Sequence, residues 1–394
     1  MSILGDNSIL NIVWILLIVV SVFFGPRLMF YQSFAKIEQS ANLLESFAVT
    51  GKKIVTRKIT KKPTRELKES VDNFAEVFSI DPVSTDPSGI MRKIEHIYTL
   101  SEKRFNYFAK SVAPKFDEES RANLVMGLSG AVSLNQIAKI VRHFVELSRK
   151  SKSLQWAMML QMQLPTIERF SKGLLKGTEA LTNGWVIGDS IGPLVAANFI
   201  GDIKTKELEE DTLVAVRKIK GRKVFLIKAK GPGGRLGKLG KAVEKLVKKE
   251  KIAKIITIDA AGKLEGEKTG RIAEGIGVAI GGIGIDRSYI ENIATEKEIP
   301  LDSIVVKMSH EEAIMPMKNE ILNSMYKVMK IVEDTVARTD EKGAIIIVGV
   351  GNTSGVGNDV KSVHKAEDEI KKISKMMIKR EKEEKKEMRI YTEE

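Results

Sequence analysis

From Asn7 to Gly25 the chain carries no charged residue, and within Ile9–Phe24 only Asn11 and Ser21 interrupt the apolar side chains. At 1.5 Å per residue these 19 residues extend about 28 Å as a helix, enough to cross the hydrocarbon core of a bilayer. A cleaved signal peptide usually has a cationic start and small residues at its cleavage site. Here Asp6 is the only charged side chain before the run, and Gly25-Pro26-Arg27-Leu28 follows it. The expectation is a retained transmembrane anchor over residues 1–26. Arg27, Lys36, Lys52, Lys53, Arg57, Lys58, Lys61, Lys62 and Arg65 all lie downstream. The positive-inside rule then places the N-terminus outside and the remaining domains in the cytoplasm, as a single-pass membrane protein. The Lys52–Arg65 cluster reads either as a contact for anionic lipid or as a solvated basic loop that obeys the topology rule.

Net charge is +13, which favours an anionic partner. Nucleic acid is the weakest candidate, because aromatics make up 6% of the chain and none interleaves with the Lys52–Arg65 run. The sequence has no cysteine, which excludes disulfides, iron–sulfur clusters and thiolate zinc sites. Four histidines exclude a His-rich metal cluster.

The 394 residues exceed a usual single domain. Residues 27–182 have helical periodicity, as in Leu67, Val71, Phe74, Ala75 and Phe78. Further helices are expected over 87–112, over 117–150 with a weak point at Gly127–Gly130, and over 151–181. The Met-rich stretch Trp156–Leu164 reads first as a packed helix interior, with a partner groove or lipid contact as the other reading. At Asn183 the character changes to strands alternating with helices and glycine loops. This predicts an α/β doubly wound domain with a mainly parallel sheet over 183–360. Strands are expected at 211–218, 222–228, 254–259, 304–308 and 344–350, with one helix from His310 to Val336. Residues 361–394 form a charged C-terminal helix whose final stretch, 379–386, is expected to be solvated.

Three motifs stand at strand ends or helix starts: Gly188-Asp189-Ser190-Ile191-Gly192-Pro193, Ile255–Ala261 with Asp259, and Met308-Ser309-His310. In an open α/β sheet ligands gather beyond the carboxyl ends of the strands. Two carboxylates and an imidazole meeting there would suit a metal or a proton-transfer pair. Each residue also has a plainer reading: Asp189 as a helix cap, Asp259 as a strand-end turn residue, His310 as an ordinary first helical residue. Glu311 and Glu312 suit the positive end of the same helix. The loop Gly231–Gly237 invites a phosphate-binding reading, but its glycine order is wrong and Pro232 removes an amide. Close helix–strand packing is the better account, and no cofactor-binding residues are assigned.

Asp189-Ser190-Ile191-Gly192-Pro193-Leu194-Val195 resembles a segment of the spore germination proteases and hydrogenase maturation endopeptidases. Ile256–Ala261 resembles their second acidic strand, Gly233–Gly237 their glycine turn, and Ser309-His310 the endopeptidase histidine. The likeness covers residues 184–359. In the endopeptidases the two acids and the histidine bind nickel, whereas in the germination proteases the two aspartates are implicated in proteolysis. Those families place a strand ending in Gly-x-Gly-Asn before the first acidic motif. Here that strand stands at the far end, as Ile345–Asn352, so the resemblance implies a circular permutation in which the last strand fills the place of the first. The whole chain also resembles an uncharacterised membrane-anchored archaeal family.

Together these readings imply a peptidase or other hydrolase acting on a protein or peptide. Asp189 and Asp259 would be catalytic, and Asp189, Asp259 and His310 would be ligands for a divalent metal, nickel or zinc. The alternative is a membrane-tethered adaptor or scaffold that keeps the fold without catalysis.

Overall fold

A computed structural model describes residues 7–78, 89–278 and 284–392. The apolar N-terminal run does not end at Pro26. It belongs to a 53-residue helix, α1 (Asn7–Ile59), with Pro26 inside it. From Ile12 to Phe24 its large side chains are exposed, whereas Ile37, Ala41, Leu44, Ala48 and Val55 farther along are buried. One helix therefore joins the apolar segment to the core of the helical domain.

That domain continues with α2 (Arg65–Phe74), α3 (Ile90–Val112), α4 (Glu118–Ser151) and α5 (Leu154–Asn183). α1, α4 and α5 share a core of Ile37, Leu44, Leu134, Val141, Val145 and Leu164. Arg142 reinforces it, reaching Glu38 and Glu45 on α1 at 2.7 Å each. Gly127 and Gly130 do not weaken α4. They are where it presses against Thr182 and Thr178 of α5, with no room for a Cβ.

A short 3-10 turn, Gly188–Ser190, leads into α6 (Ile191–Ile200) and the α/β domain. There follow β1 (Lys206–Glu209), β2 (Thr212–Ile219), β3 (Arg222–Ala229), α7 (Leu239–Lys249), β4 (Ile252–Gly262), β5 (Ile272–Ile276), α8 (Ile285–Glu296), β6 (Leu301–Met308), α9 (His310–Ile314), α10 (Asn319–Arg338), β7 (Ala344–Gly349) and α11 (Val360–Thr392). The sheet order is β1-β2-β3-β7-β4-β6-β5. The central strands β3, β7, β4 and β6 are parallel, and antiparallel neighbours close both edges. β7 is buried on both faces and reads as the unbroken apolar run Ala344–Val348, as a central parallel strand should. Its alternate residues divide between two cores, Ile345 and Ile347 under α6, α10 and α11, Ile346 and Val348 under α7 and α8.

The helix expected over 310–336 is broken. Pro316 brings no N–H to a helix ladder, and the chain there runs extended instead. Gly188 donates to Met315 O at 3.1 Å and Met317 donates to Val186 O at 2.8 Å, so the break becomes a short pairing with the entry to α6. The C-terminal helix is not simply solvated along 379–386. Arg380, Glu381 and Glu384 pair with Glu179, Lys176 and Lys172 of α5 at 2.7–3.0 Å.

Candidate active site

A cavity of about 420 Å³ opens at the carboxyl ends of β7 and β4. Asp189, from the 3-10 turn before α6, and Asp259, near the end of β4, both line it, together with Val350, Gly351 and Asn352 after β7. Three local arrangements bring these pieces together. α6 begins under the two strands, where Gly192 lies against Val350 and Ile258 so closely that a Cβ would collide with both backbones. Val350 N donates to Ile258 O at 2.9 Å, holding the loop after β7 on β4. Asn352 N then donates to Asp189 Oδ2 at 2.7 Å.

Asp189 is therefore not the cap of α6. Ser190 holds the N-cap position without a side-chain hydrogen bond, and the Asp189 carboxylate turns to the β7 loop. Burial pushes the Asp189 carboxyl above the ordinary Asp range, against the single backbone N–H that favours its charge. Asp259 is 3% exposed, and its Oδ1 accepts the Ala260 amide at 2.6 Å.

His310 stands elsewhere. It is exposed at the first position of α9, near Gly262 at the end of β4, and is not among the residues lining the cavity. Among the described residues no group of three His, Asp or Glu side chains is arranged to hold a metal ion. Glu312, two residues on, closes a capping box with Ser309. Burial opposes its charge, but Lys318, the Ser309 amide and Thr269 outweigh that and hold its carboxyl down at about 2.

The glycine loop offers no phosphate cradle. Gly231 N is bound by Asn358 Oδ1 at 2.9 Å, Gly233 N by Glu119 and Gly234 N by Asn123 Oδ1 at 2.8 Å. Its role is docking. Arg235, 7% exposed, reaches Glu118, Glu119 and Asp211 at 2.6–3.2 Å and so ties the loop to the start of α4.

Sequence reasoning missed the rim of the cavity. Glu95 and Tyr98 come from α3, Lys238 and Lys241 from the start of α7, Asp286 and Tyr289 from α8. Lys241 pairs with Glu95 at 2.5 Å, Tyr289 donates to Glu95 at 2.9 Å, and Lys238 pairs with Glu102 at 2.8 Å. Burial raises the Asp286 carboxyl, while the Gly240 amide at 2.6 Å works the other way. No local pattern marks Glu95 or Tyr98, which sit in an ordinary amphipathic helix. Asp286, in the first turn of α8 two residues after Gly284, and Lys238 and Lys241, just past the glycine loop, are rim residues whose positions carried a signal.

Fold and site together define a class: an α/β domain with an acid-lined cavity at its strand ends, roofed by a helical domain that grows from a long apolar N-terminal helix. The chain belongs to the DUF1512 family. The family's N-terminal domain, described as a protein of unknown function, matches residues 11–184, and its C-terminal domain of unknown function matches residues 187–357. No curated protein and no solved structure matches the chain.

Proposed function

We propose that this protein is a membrane-anchored hydrolase that cleaves amide bonds in peptides with Asp189 and Asp259 as a metal-free acid–base pair. The observation that carries the reading is that these two carboxylates, 70 positions apart in sequence, line one cavity beyond adjacent parallel strands. A volume of about 420 Å³ lies in the range of small-ligand sites and suits a few residues of peptide. The likeness of both acidic motifs to the germination proteases supports the same assignment. So does the place of the Gly349–Asn352 loop beside Asp189, where the permutation reading would put it.

Asp259 accepts a proton from water as its oxygen attacks the carbonyl carbon. Asp189, whose burial favours the protonated form, delivers a proton to the carbonyl oxygen. As the tetrahedral intermediate collapses and the C–N bond breaks, Asp259 gives the proton taken from water to the leaving nitrogen, and Asp189 takes back a proton from a hydroxyl of the intermediate, so both acids return to their starting forms. The products are a carboxylic acid and an amine, and one water is consumed. The donor set in the cavity fits this pair better than nickel or zinc, since His310 lies outside it.

The full-length chain, purified in detergent and incubated with a mixed peptide library, should release new termini read by mass spectrometry. Asp189→Asn and Asp259→Asn should each lower the rate by at least about 10²-fold, the scale of losing an acid–base group. Cleavage that survives both substitutions would sink the assignment. Cleavage abolished by chelator and restored by nickel or zinc would replace it with the metal-dependent form.

We also infer that α1 is retained as the anchor, with its N-terminus outside. Cleavage after the apolar run would cut within a continuous helix whose later turns are packed into the domain core.

A further inference from the structure

Trp156, Met158, Met159 and Met162 are 43–76% exposed, which overturns their reading as a packed helix interior. Ala157 and Leu164, on the other half of the same turns of α5, are the residues that pack. These four are among the five large exposed hydrophobics of α5, and all lie in its first nine residues. Phe144 and Leu147, near the end of α4, add to the surface at 39% and 37% exposure. A stripe this concentrated on a helix face calls for a covering partner.

Its position names one. α4 runs antiparallel to α1: Arg142 meets Glu45 and Glu38, Arg149 meets Glu38 at 2.6 Å, and the Arg149 guanidinium lies 5.2 Å over the Phe34 ring. The turn joining α4 to α5, residues 151–153, is therefore level with the Phe34 region of α1. The exposed apolar surface of α1 runs past Phe24 through Leu28 and Met29 to Tyr31, only three residues or about 5 Å of helix short of Phe34. α5 starts at that level and, antiparallel to α4, runs back alongside α1, so Trp156 lies nearest the apolar surface of α1 and Met162 about 9 Å farther along the helix. Lys150 and Lys152 are exposed at the same tip, placed to meet headgroup phosphates. The Lys52–Arg65 cluster lies 28 or more residues past Phe24, about 42 Å along the helix, well beyond electrostatic reach of a membrane that α1 crosses.

We propose that the tip of the α4–α5 hairpin rests in the headgroup zone of the same bilayer that α1 crosses, with Trp156 deepest, Met158 and Met159 on the face rising from it, and Lys150 and Lys152 beside the headgroup phosphates. The proposal rests on α1 being a membrane anchor. It makes the helical domain a second membrane contact that fixes the height and tilt of the cavity above the surface.

The natural absence of cysteine makes the test direct. Single variants Val19→Cys, Met159→Cys, Met162→Cys and Lys218→Cys of the full chain would carry a nitroxide label in phosphatidylcholine–phosphatidylglycerol vesicles. Collisions with oxygen and with a water-soluble nickel chelate would be measured by EPR. The label at 159 should lose nickel collisions relative to 218 while keeping oxygen collisions, the label at 162 should lose fewer, and the label at 19 should be deepest. If the label at 19 is deep while those at 159 and 162 meet nickel freely, the hairpin proposal fails and the anchor stands. Low collision with both probes at 159 and 162 would mean a covering protein surface, such as a second copy, and would also overturn it. A label at 19 open to nickel would remove the anchor and the proposal with it.

Discussion

Gly192 shows how much of the site rests on a missing side chain. In the sequence it is one glycine of an acidic motif. In the fold it is the point where α6 touches the backbones of Val350 and Ile258, inside the 3.0 Å that a real Cβ would respect. Because the obstacles are backbone atoms of β4 and of the residue that follows β7, Gly192→Ala should destabilise the α/β domain by about 3 kcal/mol or more, read as a lower urea midpoint. Asp189 makes a prediction of opposite sign. Its carboxyl is raised by burial, so as pH climbs above the ordinary Asp range the unfolded chain releases a proton that the folded chain still holds. Stability contributed by this group is full below that range and is lost as pH rises through the folded value. Asp189→Asn keeps an oxygen for the Asn352 amide, so it should raise stability near neutrality and flatten that slope. Lys228 is the counterpart on β3. It is fully buried, and burial lowers its ammonium to about 7, with Glu119 and Asp359 pulling the other way. Between about 7 and the ordinary 10.5 the unfolded chain holds the extra proton, so stability should rise with pH across that window. Lys228→Met should abolish the rise in pH-dependent thermal melts. It should also cost about 1–3 kcal/mol, because Ala229 O and Asn358 Oδ1 each lose a donor at 2.8 Å.

Strands and helices were legible where their pattern was local. The hairpin around Gly221, the apolar strands at 254–259, 304–308 and 344–350, and the helix after the glycine loop all announce themselves by periodicity and punctuation. Edge strands β1 and β5 did not, since Lys206–Glu209 and Ile272–Ile276 alternate weakly and are stabilised by neighbours supplied only in the fold. The break at Pro316 was visible in the sequence, but its use was not, because pairing of residues 315–317 with 186–188 is a contact across more than 120 positions. The glycine loop is a similar case: the fit of Gly-Pro-Gly-Gly to its surroundings comes from Glu119 and Asn123 of α4. Arg235 anchors that contact with three acids, which are themselves 32–63% exposed. Arg235→Met should therefore cost only about 1–3 kcal/mol, as the acids can hydrate once the cation is gone. Limited proteolysis should become faster between α4 and the glycine loop if this docking is the element that loosens. An unchanged cleavage rate would assign the docking to other contacts.

The two folded parts share one cavity, because α3 and the end of α5 supply Glu95, Tyr98 and Leu181 to a pocket built on the α/β sheet. α5 of that roof also packs on α1, whose first turns are apolar and exposed. Orientation is thus a property of the entire chain, and cysteine labelling can read it. With Ser2→Cys and Lys62→Cys as single variants in intact cells, an impermeant maleimide should modify position 2 and spare position 62 until the membrane is opened. The reverse pattern would invert the topology. Modification of neither before lysis would argue that the apolar segment does not cross at all.

The amino-acid order alone settles the long apolar helix, the succession of a helical part and an α/β part, the place of Asp189 at a helix start and that of Asp259 near a strand end. Each depends on composition or spacing within a window of a dozen residues, where hydrophobic burial and backbone geometry act locally. The roof over the acids, the distance of His310 from them, the exposed face of α5 and the level of the α4–α5 tip beside Phe34 are not written in any such window. They follow from packing between segments tens to hundreds of positions apart, as when Glu95 meets Lys241, and such contacts exist only once the whole chain has chosen how its elements stack.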